Sequence, residues 1–347
     1  MIHNDLKAAL NTLSDPVLLI DDRRRIKFLN SAAETRFGPN LEGNDFVHAL
    51  RSPEALVCIE RVLAGSASSE TVIQSSLPVR TTLRMSVVRP ESSLPLDYQA
   101  VVNITDISHV IEAEQMRRDF VANVSHELRS PLTSMTGIIE TLKDAAQDDE
   151  AARQKFLKIM SREAGRMKRL IDDLLSLSKV EARAHLRPDG QVDVERLIEQ
   201  VVATLTSRTE VNPPKIRLEV SGKIPVVPGD ADELTQVFHN LIENAVKYGT
   251  ENGVVRVKVS IVENAPGFRE PTVSVSIRDQ GAGIAPQYIP RLTERFYRID
   301  EGRSRKKGGT GLGLAIVKHI VNHHLGRLHI QSKVGVGSEF TVHLPVS

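Results

Sequence analysis

The sequence predicts a multidomain α+β protein with a small α/β module over residues 1–106, a helical hairpin over 107–185 and an α/β sandwich over 192–347. Short β-rich runs separated by turns fill the first segment. The second segment contains almost no glycine or proline, which is typical of long helices. In the third segment helical and β-rich runs alternate, and glycines cluster at 281–283 and 308–313.

The first module begins with a short amphipathic helix, indicated by the spacing of Leu6, Leu10 and Leu13. The runs PVLLIDD and IKFLN predict two strands, and a helical stretch around SAAETRF follows them. TTLRMSVV and YQAVVNIT predict later strands on either side of the turn-like PESSLP. The single cysteine, Cys58, is expected to be a small buried hydrophobe.

The composition is that of a globular protein, with 40% hydrophobic and 26% charged residues. A net charge of +1 with interspersed signs gives no basic stripe, so we expect no nucleic-acid partner. One cysteine excludes an intrachain disulfide and fits a reducing compartment. No apolar run approaches the ~20 residues that span a bilayer. We therefore expect a cytoplasmic protein, or the cytoplasmic part of an inner-membrane sensor if a segment upstream of Met1 is missing.

The run NVSHELRSPL, at 123–132, places a histidine in the middle of a long amphipathic pattern. On a helical wheel at about 100° per residue, His126 points away from the apolar stripe, and Ser130 lies one turn further along the same exposed face. The opposite stripe consists of Ala113, Phe120, Val124, Leu128, Met135, Ile138 and Leu142. Pro131 removes a backbone hydrogen bond to the carbonyl of Glu127 and is expected to bend the helix, at a cost of about 3 kcal/mol.

An exposed histidine is usually an ordinary surface residue, but the neighbours of His126 favour a chemical role. Glu127 can accept the imidazole N–H, which fixes the tautomer and makes the other ring nitrogen a better nucleophile. Arg129 offers positive charge to an incoming phosphate, and Ser130 offers a hydroxyl.

The second helix of the hairpin has an apolar stripe of its own. It consists of Phe156, Ile159, Met160, Met167, Leu170, Ile171, Leu174 and Val180. A lone hairpin of this length would leave much apolar surface in water. Pairing two hairpins into a four-helix bundle covers that surface, so we expect a homodimer.

The run GDADELTQVFHNLIENAVKYG predicts a helix with a capping-box-like start at Asp230 and Glu233. Asn240, Asn244 and Lys247 share one face, beside the apolar stripe. Two amides one turn apart are unusual inside a helix. Their oxygens suit Mg²⁺, and the lysine can reach phosphates bound to the same ion. The alternative is a polar edge on an ordinary helix.

Two glycine-rich runs complete the pattern. VSVSIRDQGAGI predicts a strand ending at Asp279, whose carboxylate can accept a hydrogen bond from an exocyclic amine. In GGTGLGLAIVKHIV, Gly309, Gly311 and Gly313 precede a helix whose backbone N–H groups can bind an anion. This run is neither a Walker loop nor a dinucleotide fingerprint. ERFYRIDEGRSRKK, between them, is either a solvated loop or a mobile basic lid anchored by Phe296.

Taken in order, these motifs resemble the sensor histidine kinases of two-component systems, nearest to the phosphate-regulon sensor type. FVANVSHELRSPLTSMTGIIETL is similar to the phosphoacceptor H box, and HNLIENAVKYG to the N box. RDQGAGI and GGTGLGLAIVKHIV resemble the two glycine boxes, and ERFYR the F box. The segment 1–106 resembles a PAS domain. The resemblance implies a dimerising phosphoacceptor bundle followed by an ATP-binding sandwich of the Bergerat (GHKL) type.

The family's activity is ATP- and Mg²⁺-dependent autophosphorylation on histidine, followed by phosphoryl transfer to an aspartate of a response regulator. The resemblance makes His126 the phosphorylation site and Glu127 its acid/base partner. It makes Ser130 a phosphatase hydroxyl where many members have threonine, and places Asn240 and Asn244 at the Mg²⁺. The implied nucleotide-binding residues are Asn240, Asn244, Lys247, Tyr248, Asp279, Gly281, Gly283, Phe296, Gly309, Thr310, Gly311, Leu312 and Gly313.

Two alternatives share parts of this pattern. An ATP-driven conformational machine of the gyrase or chaperone kind would use the same nucleotide fold, but it would not need SHELRSPL on an exposed helix face. A hydrolytic member of that kind would also be expected to have a carboxylate base at the position that Asn240 occupies here. A signal-binding scaffold with an inactive kinase is the other alternative, and the intact motifs argue against it.

Overall fold

The computed structural model describes residues 4–75, 81–91, 97–143, 149–183, 186–207, 214–250, 253–300 and 309–346. The chain forms two compact units, one within residues 1–121 and one within 122–347. Residues 301–307 of the predicted basic lid (294–307) lie outside the described residues, as do parts of the PESSLP turn and of the break between the hairpin helices. No helix in the described ranges has both the length and the apolar character needed to cross a bilayer.

The first unit is built on a five-stranded antiparallel sheet with the strand order 2-1-5-4-3. The strands are β1 (Val17–Ile20), β2 (Ile26–Leu29), β3 (Ser68–Ser75), β4 (Thr81–Val88) and β5 (Ala100–Asp106). The short helices are α1 (Asn4–Asn11), α2 (Ser31–Phe37) and α3 (Pro53–Leu63). Strands β1, β2, β4 and β5 and helices α1 and α2 confirm the predicted elements, whereas α3 and β3 were not predicted.

Side-chain caps explain where the helices of this unit begin. Asn30 is fully buried, and its Oδ1 accepts the N–H of Ala33 in the first turn of α2 as well as the N–H of Val17. Ser52 caps α3, and Pro53 follows at the helix start, where a missing N–H costs nothing. Cys58 is buried on α3, as expected.

Two long helices form the predicted hairpin: α4 (Ser108–Lys143) and α5 (Glu150–Ala182). His126 and Ser130 are exposed on α4, as the wheel predicts. Ala113 is also exposed, although it was assigned to the apolar stripe. The remaining apolar residues predicted for α4 are partly buried. Pro131 lies inside the helix and is buried.

The second unit contains a five-stranded mixed sheet with the strand order 11-12-10-9-7, in which only β7 and β9 are parallel. These strands are β7 (Lys215–Ser221), β9 (Val254–Val262), β10 (Thr272–Arg278), β11 (Arg327–Lys333) and β12 (Gly337–Pro345). The helices are α6 (Val194–Ser207), α7 (Ala231–Tyr248) and α8 (Gly313–His323). A two-residue ladder joins β6 (Gln191–Val192) to β8 (Val227–Pro228). This α/β sandwich confirms the predicted fold class.

The start of α7 differs in one respect from the predicted capping box. Asp230 is the N-cap, and its Oδ1 accepts the N–H groups of Asp232 and Glu233, at 2.9 and 3.1 Å. The reciprocal bond is absent, because the Asp230 N–H donates to Nε2 of His324, at 3.0 Å. The Glu233 carboxylate turns instead to His323 at the end of α8.

The pKa values of His323 and His324 are shifted in opposite directions because of their surroundings. Both ring nitrogens of His323 face acceptors, Oε2 of Glu233 at 2.9 Å and the Leu186 carbonyl. Burial opposes the charge on His323, but these acceptors leave its pKa above the ordinary value. In His324, burial lowers the pKa, and Nδ1 donates to the Ile320 carbonyl while Nε2 accepts from Asp230. With both nitrogens engaged, His324 has no lone pair to offer a metal ion.

We predict that His323 makes stability depend on pH. Because its pKa is raised on folding, its contribution is fully present below the unfolded value of about 6.5 and is lost as the pH rises through the folded value. The melting temperature of the full chain should therefore exceed that of His323→Gln at pH 6, and this difference should shrink toward pH 9. A difference that stays constant across this range would contradict a raised pKa for His323 in the folded state.

Candidate nucleotide and phosphoacceptor site

The H-box residues lie on successive positions of α4, with different environments. His126 is exposed, whereas the Glu127 side chain is only 18% exposed. Its Oε2 accepts a hydrogen bond from Arg166 on α5, so the carboxylate lies over the hairpin. Ser130 is exposed one turn beyond His126. The helix therefore presents an imidazole and a hydroxyl on one accessible face, while the acid that follows the histidine is held against α5.

Asp279 directly follows strand β10 and is the buried acid of the sandwich, with 5% exposure. Its Oδ1 accepts the backbone N–H of Gly281 at 2.7 Å and that of Ser338 at 3.3 Å. Burial raises the pKa of Asp279, and these two hydrogen bonds oppose the rise. Oδ2 makes no hydrogen bond within the described part of the chain, so it is the oxygen available to a ligand.

Gly281 lies directly against the C-terminal end of α7. A Cβ at Gly281 would lie 2.3 Å from the backbone oxygen of Tyr248, which excludes any side chain there. Tyr248 itself is 41% exposed. Gly283 follows in the same turn and has a positive φ of 68°. The first glycine box therefore brings the end of the N-box helix next to Asp279.

The N-box amides lie on α7, and that of Asn240 faces the start of α8. Asn240 is partly buried, and its Nδ2 donates to the Gly313 carbonyl at 3.5 Å. Asn244 and Lys247 are partly buried on the following turns of the same helix. Because Asn240 donates through its nitrogen, its Oδ1 is the atom that can serve as a cation ligand.

The F box and the second glycine box are joined through their backbones. Phe296 has a positive φ of 63°, and its N–H donates to the Gly311 carbonyl at 2.9 Å. Gly311 has a φ of 77°, and a Cβ there would lie 2.9 Å from the Phe296 backbone. Leu312 is fully buried, and Gly309 and Thr310 are partly buried. Phe296 thus anchors the loop that leads into α8.

Polar contacts also join this edge to the hairpin, and they were not predicted. The Thr310 Oγ1 donates to Oδ2 of Asp173 on α5, at 2.6 Å. Burial raises the pKa of Asp173, and the bond from Thr310 opposes the rise. Arg295 of the F box also forms an ion pair with Glu181 on α5. The sequence run IDDLLSLS around Asp173 carries no local signal for such a contact.

The structure therefore groups most of the predicted nucleotide residues around one edge of the sandwich. Contacts link Asp279 to Gly281, Gly281 to Tyr248, Asn240 to Gly313 and Phe296 to Gly311. This edge offers a buried carboxylate, crowded glycine backbones and a helix N-terminus. Such a set suits a ligand that has a ring with an exocyclic amine at one end and phosphates at the other.

Three family models match successive parts of the chain. The PAS domain model matches residues 4–68, and the His Kinase A (phospho-acceptor) domain model matches 116–183. The model of the histidine kinase-, DNA gyrase B- and HSP90-like ATPase matches 229–347. A phosphoacceptor domain followed by this ATPase defines a protein-histidine kinase.

Curated relatives extend the match over nearly the whole chain. The phosphate regulon sensor protein PhoR of Pseudomonas aeruginosa is 34% identical over 334 residues, covering 95% of this chain and 72% of PhoR. The sensor protein kinase WalK of Staphylococcus saprophyticus is 33% identical over 345 residues, which is 98% of this chain and 55% of WalK. The chain belongs to the sensor histidine kinases of two-component systems, as the motifs predict.

A solved structure has the same fold. The crystal structure of the histidine kinase ThkA in complex with the response regulator protein TrrA aligns over 96% of both chains, with a TM-score of 0.51 and 20% identity. At this identity the likeness concerns the fold alone.

We predict that Gly311→Ala weakens ATP binding. An alanine is strained at a positive φ, and its Cβ would also crowd the Phe296 backbone, so the loop into α8 must shift. Gly222→Ala is a matched control, because Gly222 has a φ of 84° and nothing within 4 Å of its Cβ position. Calorimetry with a non-hydrolysable ATP analogue should show affinity lowered at least about tenfold, or ~1.4 kcal/mol, for Gly311→Ala only. Equal affinities in the two variants would contradict the assigned role.

Proposed function

We propose that this chain phosphorylates its own His126 with ATP and then passes the phosphoryl group to an aspartate of a response regulator. The observation that carries the proposal is an exposed imidazole on α4 in the same compact unit as the grouped nucleotide residues. An exposed position suits a histidine that meets a γ-phosphate first and another protein afterwards. Transfer of this kind depends mainly on positioning and on neutralisation of charge.

The chemistry assigned to the H box follows from its residue types. One nitrogen of His126 attacks the γ-phosphorus while the bond from phosphorus to the bridging oxygen breaks and ADP leaves. Glu127 accepts the proton from the other ring nitrogen, which removes the positive charge that the attack places on the imidazole ring. In the second step the phosphoryl group moves from nitrogen to a carboxylate oxygen of the regulator as the N–P bond breaks, and Glu127 returns its proton to the ring, so that His126 regains its neutral form.

The nucleotide roles follow from the contacts around the edge of the sandwich. Asp279, with its available Oδ2, is assigned to the adenine amine, and the N-terminus of α8 to the phosphates. Asn240 and Asn244 supply amide oxygens one turn apart, a donor type that fits Mg²⁺. The ion, when bound, neutralises phosphate charge. Lys247 adds a cation on the next turn of α7.

We also propose that the hairpin pairs with a second copy. Large apolar side chains of both hairpin helices are more than 40% exposed in the single chain, which supports this pairing. They include Leu132, Ile139, Leu157, Ile171 and Leu175. A four-helix bundle would cover them. The proposed site of action is the cytoplasm, where ATP is available.

The full chain with His126→Gln should not incorporate label from [γ-³²P]ATP, because glutamine has no nucleophilic ring nitrogen. His109→Gln is the matched control, since His109 is also exposed on α4 but has no acid after it. That variant should be labelled like the wild type, and both variants should bind ATP normally. Labelling that survives in His126→Gln would refute the proposal.

Ser130→Ala should lower dephosphorylation of the regulator far more than autophosphorylation. A hydroxyl one turn from His126 can orient a water toward the aspartyl-phosphate, whereas the forward reaction needs only the imidazole, its acid and the nucleotide. The position is exposed and helical, and alanine favours helices, so the substitution should leave the fold unaffected. Both rates are measured on one preparation, with ADP present for the dephosphorylation. A proportional fall in both rates would instead assign Ser130 a role in local geometry.

A further inference from the structure

The carboxylate of Glu127 is held by cations from two different elements. Its Oε2 pairs with Nη2 of Arg166 on α5 at 2.5 Å, and its Oε1 lies 4.0 Å from Nη1 of Arg298, in the F box. The side chains are 18% exposed for Glu127, 11% for Arg166 and 7% for Arg298. The pairing is therefore largely shielded from solvent, unlike most surface ion pairs.

A second acid fixes the orientation of Arg166. Glu163, one turn earlier on α5, lies 3.9 Å from Nη1 of Arg166 and is only 15% exposed. The planar guanidinium thus spans two carboxylates, with Nη1 on one and Nη2 on the other. A lysine has a single charged atom and would not hold both groups in a fixed fork.

We propose that Arg166 is a positioning residue for phosphorylation of His126, acting through Glu127. Arg166 anchors Oε2. Oε1 is then the oxygen that lies near Arg298 in this structure and that accepts the ring proton of His126 during phosphorylation. The inference rests on the proposed function, because it assumes that Glu127 accepts the proton from His126.

The physical basis is the freedom that Glu127 would have without Arg166. A glutamate at a helix surface has three rotatable bonds and spends much of its time in rotamers that point into water. An ion pair across the hairpin restricts the carboxylate to one region between α5 and Arg298. The neighbouring Arg298 comes from the nucleotide-binding part of the same unit, so its approach to Oε1 couples Glu127 to the position of that part.

A double-mutant cycle on the full chain separates positioning from structural support. The four proteins are wild type, Arg166→Met, Glu127→Gln and the double variant, and the measured quantities are kcat and KM for ATP in autophosphorylation. Arg166→Met should lower kcat by about tenfold or more, within the ~10²–10⁴-fold that acid–base help provides, and leave KM unchanged. In the Glu127→Gln background the same substitution should have no further effect. Arg166→Lys should restore part of the rate.

Controls distinguish the possible outcomes. Arg153→Met removes an exposed arginine of the same helix, paired with Glu150, and should leave the rate unchanged. Three results would each overturn the positioning role. They are an equal loss of kcat in both backgrounds, no loss of kcat in either background, and a higher kcat in Arg166→Met. Wild-type protein that takes no label on His126 would refute the proposed function itself, before the cycle is considered. Thermal melts establish that each variant is folded.

Discussion

The nucleotide edge of the sandwich depends on burial of one face of helix α7. Leu234, Val237, Phe238, Leu241, Ile242 and Ala245 are buried there, with at most 1% exposure. Each fully buried large apolar side chain contributes about 1.5–3 kcal/mol, so the rotation of α7 about its axis is strongly fixed. The burial of this face directs the Asn240 amide toward the start of α8, and Asn244 lies one turn further along the same helix.

Polar bonds form part of the contact between the hairpin and the sandwich, and each is weaker than the burial that fixes α7. Thr310 donates to Asp173, Ser176 donates to Gln236, and Arg295 pairs with Glu181. A single hydrogen bond contributes only about 1 kcal/mol net. Polar contacts of this size can each be exchanged for contacts with water at a small cost. A histidine that must meet a nucleotide and then a second protein needs an arrangement that can change in this way.

The elements that the sequence predicts well are those specified by local patterns. The apolar period and the low glycine content predict α4 and α5, and the exposed positions of His126 and Ser130 follow from that period. Asp279 at a strand end and the glycines before α8 are likewise local signals. Helix α3 and strand β3 were missed, although Ser52 and Pro53 together form a start signal that could have indicated α3.

The contacts that the sequence did not predict join residues far apart in the chain. Glu127 and Arg166 are 39 residues apart, and Asp173 and Thr310 are 137 residues apart. The predicted capping box illustrates the same limit. Its local half forms at Asp230, but its glutamate binds His323, 90 residues away, because the end of α8 packs beside the start of α7. No periodicity in a single sequence contains such pairings.

The position of the phosphoryl group tests the central claim most directly. The full chain is incubated with Mg²⁺ and ATP, kept at alkaline pH to preserve phosphoramidates, and digested for peptide mapping by mass spectrometry. The account predicts one acid-labile phosphate, on His126. A phosphate on another histidine, or an acid-stable phosphate on serine or threonine as the main product, would contradict it.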